Sequence, residues 1–344
     1  MRILLLFFAL LLSAASPAPH YANPVIDHDF PDPAVIRATD GFYYVYATQS
    51  IGIDGKFRNI SGARSRDLVH WAETGDMLPQ KPSWASTTQD FWAPHVLAAR
   101  GLYYLYYSAK PDAALTDDKQ GLCLAVATAT RPAGPFTDIG RPLQCGPGFE
   151  NIDPMAFDDP ATGKHLLYWG SGFGPIKVQE LAPDRLSFAP GSSPKPLLAP
   201  KKSDDSNEYR RLVEGAWVVR HGTYYYLMAS GDNCCGKNAH YGVFVARSHS
   251  ATGPFTIRPR PAYLVVEGDK RWIAPGHNAL IVDRRGQTWI LYHGVDAANP
   301  RTKPSDDVNT RRVMLLDPID WKNSWPVVRG VHPSSGSQVA PATR

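Results

Sequence analysis

Apolar and aromatic positions recur along the chain in short bursts, each launched by a turn residue, usually glycine, and closed by small polar residues. The five copies are DGFYYVYAT (40–48), RGLYYLYYSA (100–109), TGKHLLYWGSG (162–172), HGTYYYLMASG (221–231) and RGQTWILYHG (285–294). Dense β-branched and aromatic runs bounded by turn residues predict strands. A second short apolar run precedes each glycine: PAVIRA, PHVLAA, PMAFDD, AWVVRH and NALIVD, so every copy reads as a hairpin. Further strands follow in GARSRDLVHW, LAVATATRPAGPF and GVFVARSHSATGPF. The glycines Gly41, Gly101, Gly163, Gly222 and Gly286 are separated by 60, 62, 59 and 64 residues. A unit of this size and order matches a four-stranded propeller blade, and five units predict an all-β, five-bladed β-propeller. Stacked solenoid repeats are the competing architecture, but their periods are mostly shorter and their ends need caps.

The innermost strand of a propeller blade lines the central channel, so residues in phase with the repeat form a ring about the axis. Counting back eight to ten residues from the five glycines gives Asp32, Trp92, Asp153, Glu214 and His277. Asp32 lies between two prolines in FPDPAVI, and a residue before proline is expected to be extended. A solvated turn is the commoner fate of such an aspartate, but a phased set of three carboxylates, one aromatic and one imidazole outweighs it. Three carboxylates near one axis repel one another, and burial penalises charge, so their pKa values are expected to separate into a base and an acid. That division suits glycoside hydrolysis. An inverting site needs its two carboxyl groups roughly 6.5–9.5 Å apart, a retaining one about 5–5.5 Å. Asp32 and Glu214 belong to non-adjacent repeats, which favours the wider gap. Metal-assisted hydrolysis is the rival chemistry. A single ring histidine makes a calcium held largely by water a better expectation than zinc. No GxSxG accompanies the repeats, and a non-catalytic sugar-binding propeller would not need three converging carboxylates.

Residues 1–15 (MRILLLFFALLLSAA) pair one arginine with a short apolar run and small residues, predicting a signal peptide cut after Ala15. The expected product is a secreted or periplasmic monomer without membrane attachment, folded as one catalytic domain over residues 22–335. The net charge of +4 comes from 36 basic and 32 acidic residues without long runs, which argues against a nucleic-acid partner. In an oxidising compartment the four cysteines allow three complete pairings. Cys123 with Cys145 is favoured, leaving the neighbours Cys234 and Cys235 as a vicinal ring or as thiols. Trp71, Trp169, Trp217 and Trp289 read as blade packing, and Glu150, Glu208 and Glu267 as solvated surface.

The flanks of the ring residues resemble glycoside hydrolase family 43, the five-bladed propellers that include arabinanases, arabinofuranosidases and β-xylosidases. FPDPAVI (30–36), FWAPHV (91–96), NIDPMAF (151–157), VEGAW (213–217) and APGHN (274–278) are similar to its five blade motifs, with RRVMLLDPIDW (311–321) as the closing segment. The resemblance implies Asp32 as general base and Glu214 as general acid. It implies Asp153 as the carboxylate that orients Glu214 and keeps its pKa raised. Trp92 or Phe91 would wall the sugar subsite, Arg312 would reach the substrate, and His277 would sit near the axis, where a structural calcium can be held through waters. No other cofactor is implied. SGDNCCGKNAHYGVFVARS (230–248) is similar to arabinan-acting members, which points to α-L-arabinofuranosyl linkages of plant cell-wall oligo- or polysaccharide, with β-xylosidase as the alternative. VEGAW departs from the family in its Gly-Ala pair, and FWAPHV in His95. Fructan-acting propellers carry Arg-Asp-Pro where this chain has Ile152-Asp153-Pro154.

Overall fold

The structure, a computed structural model, describes residues 18–112, 121–170, 172–301 and 310–343. The signal-peptide reading lies outside them. Five antiparallel sheets follow one another along the chain. They start with the strands Ala34–Arg37, Phe91–Ala99, Met155–Asp158, Val213–His221 and Trp272–Val282. Each first strand contacts the first strands of the sheets before and after it, and that of the fifth contacts that of the first. The result is a closed five-bladed β-propeller, in which the inner sheet edges are short and protected by the neighbouring blades around the axis.

The expected hairpins form at the five repeat glycines, whose φ values of +60 to +83° suit a residue without Cβ. The aromatic burst after each glycine becomes the second strand of its blade, and one tyrosine in it has a recurring task. Tyr46 donates to the Pro132 carbonyl, Tyr106 to that of Arg185, Tyr168 to that of Ala251 and Tyr226 to that of Ser324, at 2.6–2.8 Å. Each acceptor lies in the turn after the third strand of the next blade. A buried ring thus fills the gap between blades while its hydroxyl is satisfied across it. In the fifth blade Tyr292 instead bonds Asp317 of its own sheet at 2.6 Å.

Closure comes from both ends of the chain. His20–Tyr21 pairs with Gln338–Val339, a contact that the expected bounds of 22 and 335 omit. The segment after it runs along the third strand of the fifth blade, Val313–Lys322, through the Ile26–Met314 bridge and the Phe30 N–H to the Arg312 carbonyl. Cys123 is bonded to Cys145 across neighbouring strands, and Cys234 to Cys235.

Candidate active site

The phase of the ring is set by backbone conformation. A left-handed residue stands in, or just before, each first strand: Asp32 (φ 56°), Ala93 (49°), Asp153 (56°), Gly215 (61°) and His277 (49°), with Ala274 (49°) a second in the fifth. Their separations of 61, 60, 62 and 62 residues are more even than those of the glycines. Trp92 and Glu214 therefore stand one residue ahead of the position that Asp32, Asp153 and His277 occupy. Strand pairing shifts register at the same places, between Trp92 and His95, Glu214 and Trp217, and Gly276 and Ala279. Such an irregularity bends the strand locally and re-aims its side chains in the second, fourth and fifth blades. Asp32 is left-handed rather than extended, a conformation that short polar aspartate tolerates better than most residues.

The N–H of the left-handed residue is received by the preceding blade. Ala93 N–H donates to Thr48 Oγ1 at 2.7 Å and His277 N–H to Ser230 Oγ at 2.7 Å. Asp32 N lies 3.2 Å from His293 Nδ1. Thr48, Ser230 and His293 all come from the polar ends of the aromatic bursts. Those ends are visible in the sequence, yet their role depends on which blade follows which.

The three carboxylates converge on one cleft of about 1410 Å³, which Trp92, His277 and Arg312 also line. Asp32 Oδ2 accepts from Thr48 Oγ1 at 2.6 Å, while Oδ1 lies 3.1 Å from Arg312 Nη1, 3.1 Å from His293 Nδ1 and 3.6 Å from His277 Nδ1. Burial pushes the Asp32 pKa up, but Arg312, His277 and His293 outweigh it and hold the group well below the usual carboxylate range. Asp153 Oδ2 accepts the Gly215 N–H at 2.8 Å. Burial, then the charges of Glu214 and Asp32, push Asp153 well up. Glu214 Oε1 accepts from Tyr241 Oη at 2.7 Å. Burial and the Asp32 charge push Glu214 up to about 7 against the opposing pull of Tyr241 and Arg312. The site thus holds an ionised carboxylate beside a protonated one near neutral pH, a division suited to general base and general acid work.

Phe91 does not join the cleft. It is fully buried and packs against Tyr107 in the second blade. Trp92 is the residue that faces outward, stacked on Phe149 with centroids 5.9 Å apart and planes 16° from parallel. Phe149, Phe173 and the Cys234–Cys235 pair extend the cleft's apolar lining. His95 is buried and neutral, its pKa pushed down to about 3 by burial, with its ring edge on Trp217. Glu208 is not solvated surface: it is fully buried and held by Arg210, Lys201 and Arg260 at 2.8–3.0 Å. Trp169, Trp217 and Trp289 are buried within the blades, as expected. For the calcium expectation, no group of three or more His, Cys, Asp or Glu among the described residues is arranged to hold a metal ion. His277 turns Nδ1 towards Asp32 and Asp153, at 3.6 and 3.8 Å. The residues present do not fit a directly coordinated ion.

Residues 21–326 match the family model described as glycosyl hydrolases family 43. The extracellular exo-α-(1→5)-L-arabinofuranosidase ArbA of Cellvibrio japonicus is 27% identical over 292 residues, covering 79% of this chain and 80% of that protein. The β-D-galactofuranosidase xynD of Aspergillus niger is 28% identical over 328 residues, covering 89% and 84%. A solved thermostable family-43 glycoside hydrolase superposes with a TM-score of 0.75 at 27% identity, covering 94% of this chain and all of that one.

Proposed function

We propose, from the premise that the chain belongs to glycosyl hydrolases family 43, that it is an inverting glycosidase for α-L-arabinofuranosyl linkages of plant cell-wall polysaccharide, exported and active as a monomer. The observation that carries this reading is the pairing, in one cleft, of an Asp32 held ionised with a Glu214 raised to about 7.

In this reading Asp32 is the general base. Arg312 and Thr48 fix its two oxygens, and its depressed pKa keeps it able to accept a proton from water throughout the working range. Glu214 is the general acid that protonates the departing glycosidic oxygen. Asp153 orients it through the Gly215 amide, while burial and the Asp32 charge keep the Glu214 proton on. The bond from C1 to the leaving oxygen breaks as the water oxygen bonds C1 from the opposite face. The water proton passes to Asp32 and the Glu214 proton to the leaving group. Trp92 and Phe149 offer a ring face for an adjoining sugar. A cleft of about 1410 Å³ exceeds the usual range for a small ligand and suits an oligomer. A structural calcium would have to be held through water at His277, and no step uses one.

The arabinofuranosyl assignment is favoured because both curated relatives described above are named for furanosides, one of them for arabinofuranose. Incubation with debranched arabinan, arabinoxylan, and aryl α-L-arabinofuranoside, β-D-galactofuranoside and β-D-xyloside tests it. Release of arabinose supports the reading, while turnover of only the xyloside or the galactofuranoside replaces the sugar. Binding without turnover of any of them rejects an enzyme. Proton NMR of the first-formed anomer tests inversion.

A further inference from the structure

Two buried rings that do not line the cleft lie directly behind it. Tyr241 is 1% exposed and comes from the third strand of the fourth blade, His240–Ser248. His293 is fully buried and comes from the second strand of the fifth, Thr288–Asp296. The rings lie almost parallel, 4° apart, with centroids separated by 5.7 Å. At one end of this pair Tyr241 Oη donates to Glu214 Oε1 at 2.7 Å, and at the other His293 Nδ1 lies 3.1 Å from Asp32 Oδ1. One rigid pair of rings therefore reaches both the acid and the base. The chain leaves room for it at Gly276, where a Cβ would come within 2.0 Å of the Tyr241 ring. Any larger residue there would push the ring away from Glu214.

We infer that Tyr241 is a positioning residue for the general acid, holding Glu214 at a fixed place opposite Asp32 and stabilising the carboxylate that forms when Glu214 gives up its proton. The inference rests on the assignment of Glu214 as acid. A phenol that donates to a carboxylate bonds more strongly to the charged product than to the neutral acid. It therefore helps the acid release its proton during bond cleavage. The other ionisable groups around Glu214 are Asp32, whose charge opposes its ionisation, Arg312, which favours it, and Asp153, whose own pKa is pushed well up by burial and by the Glu214 and Asp32 charges. Tyr241 adds to Arg312 without adding charge. Its own hydroxyl is pushed well up by burial, then by Glu214 and Asp153, so it remains a donor at every working pH.

The test is Tyr241→Phe in the full chain, which keeps the ring against His293 and removes only the hydroxyl. Profiles of kcat/KM against pH are measured on aryl furanosides of graded leaving-group acidity, with a thermal melt to check folding. The expected result is an alkaline limb moved up by about one pH unit. A loss of about tenfold should accompany it on the poorest leaving groups and shrink towards none on the best. An unmoved alkaline limb overturns the inference. So does a uniform loss across leaving groups, which would mark a merely structural tyrosine. Failure of the underlying reading looks different: Glu214→Ala would then show no leaving-group dependence at all, or the wild type would turn over none of the glycosides, and this inference would fall with it.

Discussion

Thr48→Val should damage the protein through one deleted hydroxyl. Thr48 Oγ1 donates to Asp32 Oδ2 at 2.6 Å and accepts from the Ala93 N–H at 2.7 Å, joining the first blade to the second beneath the base. All three residues are buried, at 4%, 8% and 2% exposure. Valine matches threonine in shape, so packing is preserved and the change is chemical. A hydrogen bond to a charged group contributes about 1.5–3 kcal/mol, and a buried amide left without an acceptor costs about 1–3 kcal/mol. The two overlap, because Asp32 keeps Arg312 and His293 and the backbone can relax, so the expected loss is about 2–4 kcal/mol. Its pH dependence follows from the sign of the Asp32 shift. A carboxylate held well below its ordinary pKa contributes stability above its unfolded value and loses it only as pH falls through the folded one. The deficit should therefore stay constant between about pH 5 and 8. Urea denaturation of both proteins at several pH values measures it. A deficit under about 0.5 kcal/mol, or one that appears only near the Glu214 titration, would refute this account of how Asp32 is held.

Asp153→Asn should leave the alkaline limb of kcat/KM near 7, because Asp153, its pKa pushed well up by burial and by the Glu214 and Asp32 charges, is already neutral when Glu214 titrates. Tyr241→Phe, by contrast, moves that limb up, and a pH–rate profile distinguishes the two. Trp92→Ala should raise KM about tenfold on oligosaccharides with a smaller effect on kcat, read from steady-state kinetics, because the stacked Trp92–Phe149 wall binds sugar without touching the reacting atoms. Glu208→Gln should cost about 2–3 kcal/mol in denaturation experiments and leave kcat unchanged. The figure is below the usual range for a broken buried pair, since Lys201 and Arg260 are half exposed. Burial raises the Glu208 pKa, but hydrogen bonds from Arg210 and Lys201 bring it down to about 2, so its contribution is present above its unfolded value and is lost as pH falls through about 2.

The fold was legible because its repeat is local. A glycine that needs positive φ, an aromatic strand and a short partner strand recur at nearly constant spacing. The burial of Tyr46, Tyr106, Tyr168 and Tyr226 between blades explains why the aromatic position repeats. The convergence of Asp32, Asp153 and Glu214 followed from that repeat and a five-fold ring. The register did not. The glycines sit at the far end of each hairpin, and strand irregularities between glycine and axis place Glu214 and Trp92 one residue ahead of the left-handed position. For the same reason Phe91 and Trp92 could not be told apart, since adjacent strand residues face opposite sides and a one-residue slip exchanges them. Glu208 was misread because its cage is assembled from Lys201, Arg210 and Arg260, and the last of these is distant in sequence. Thr48, His293 and Tyr241 were hidden for a related reason. Thr48 receives the Ala93 N–H of the next blade, His293 meets Asp32 of the first, and Tyr241 is held against His293 of the fifth, so only the closed ring brings them together.

The division of labour between Asp32 and Glu214 is tested most directly by leaving-group dependence in Asp32→Ala and Glu214→Ala, each assayed on the polysaccharide and on aryl glycosides whose leaving groups need no proton. Without its base, Asp32→Ala should lose about 10²–10⁴-fold on every substrate. Glu214→Ala should lose as much on the polysaccharide and recover most of it on the most acidic aryl leaving groups. If Asp32→Ala were the variant rescued, the acid and the base would have to be exchanged. If both variants stayed active on every substrate, the ring of carboxylates would be structural and the account would fail.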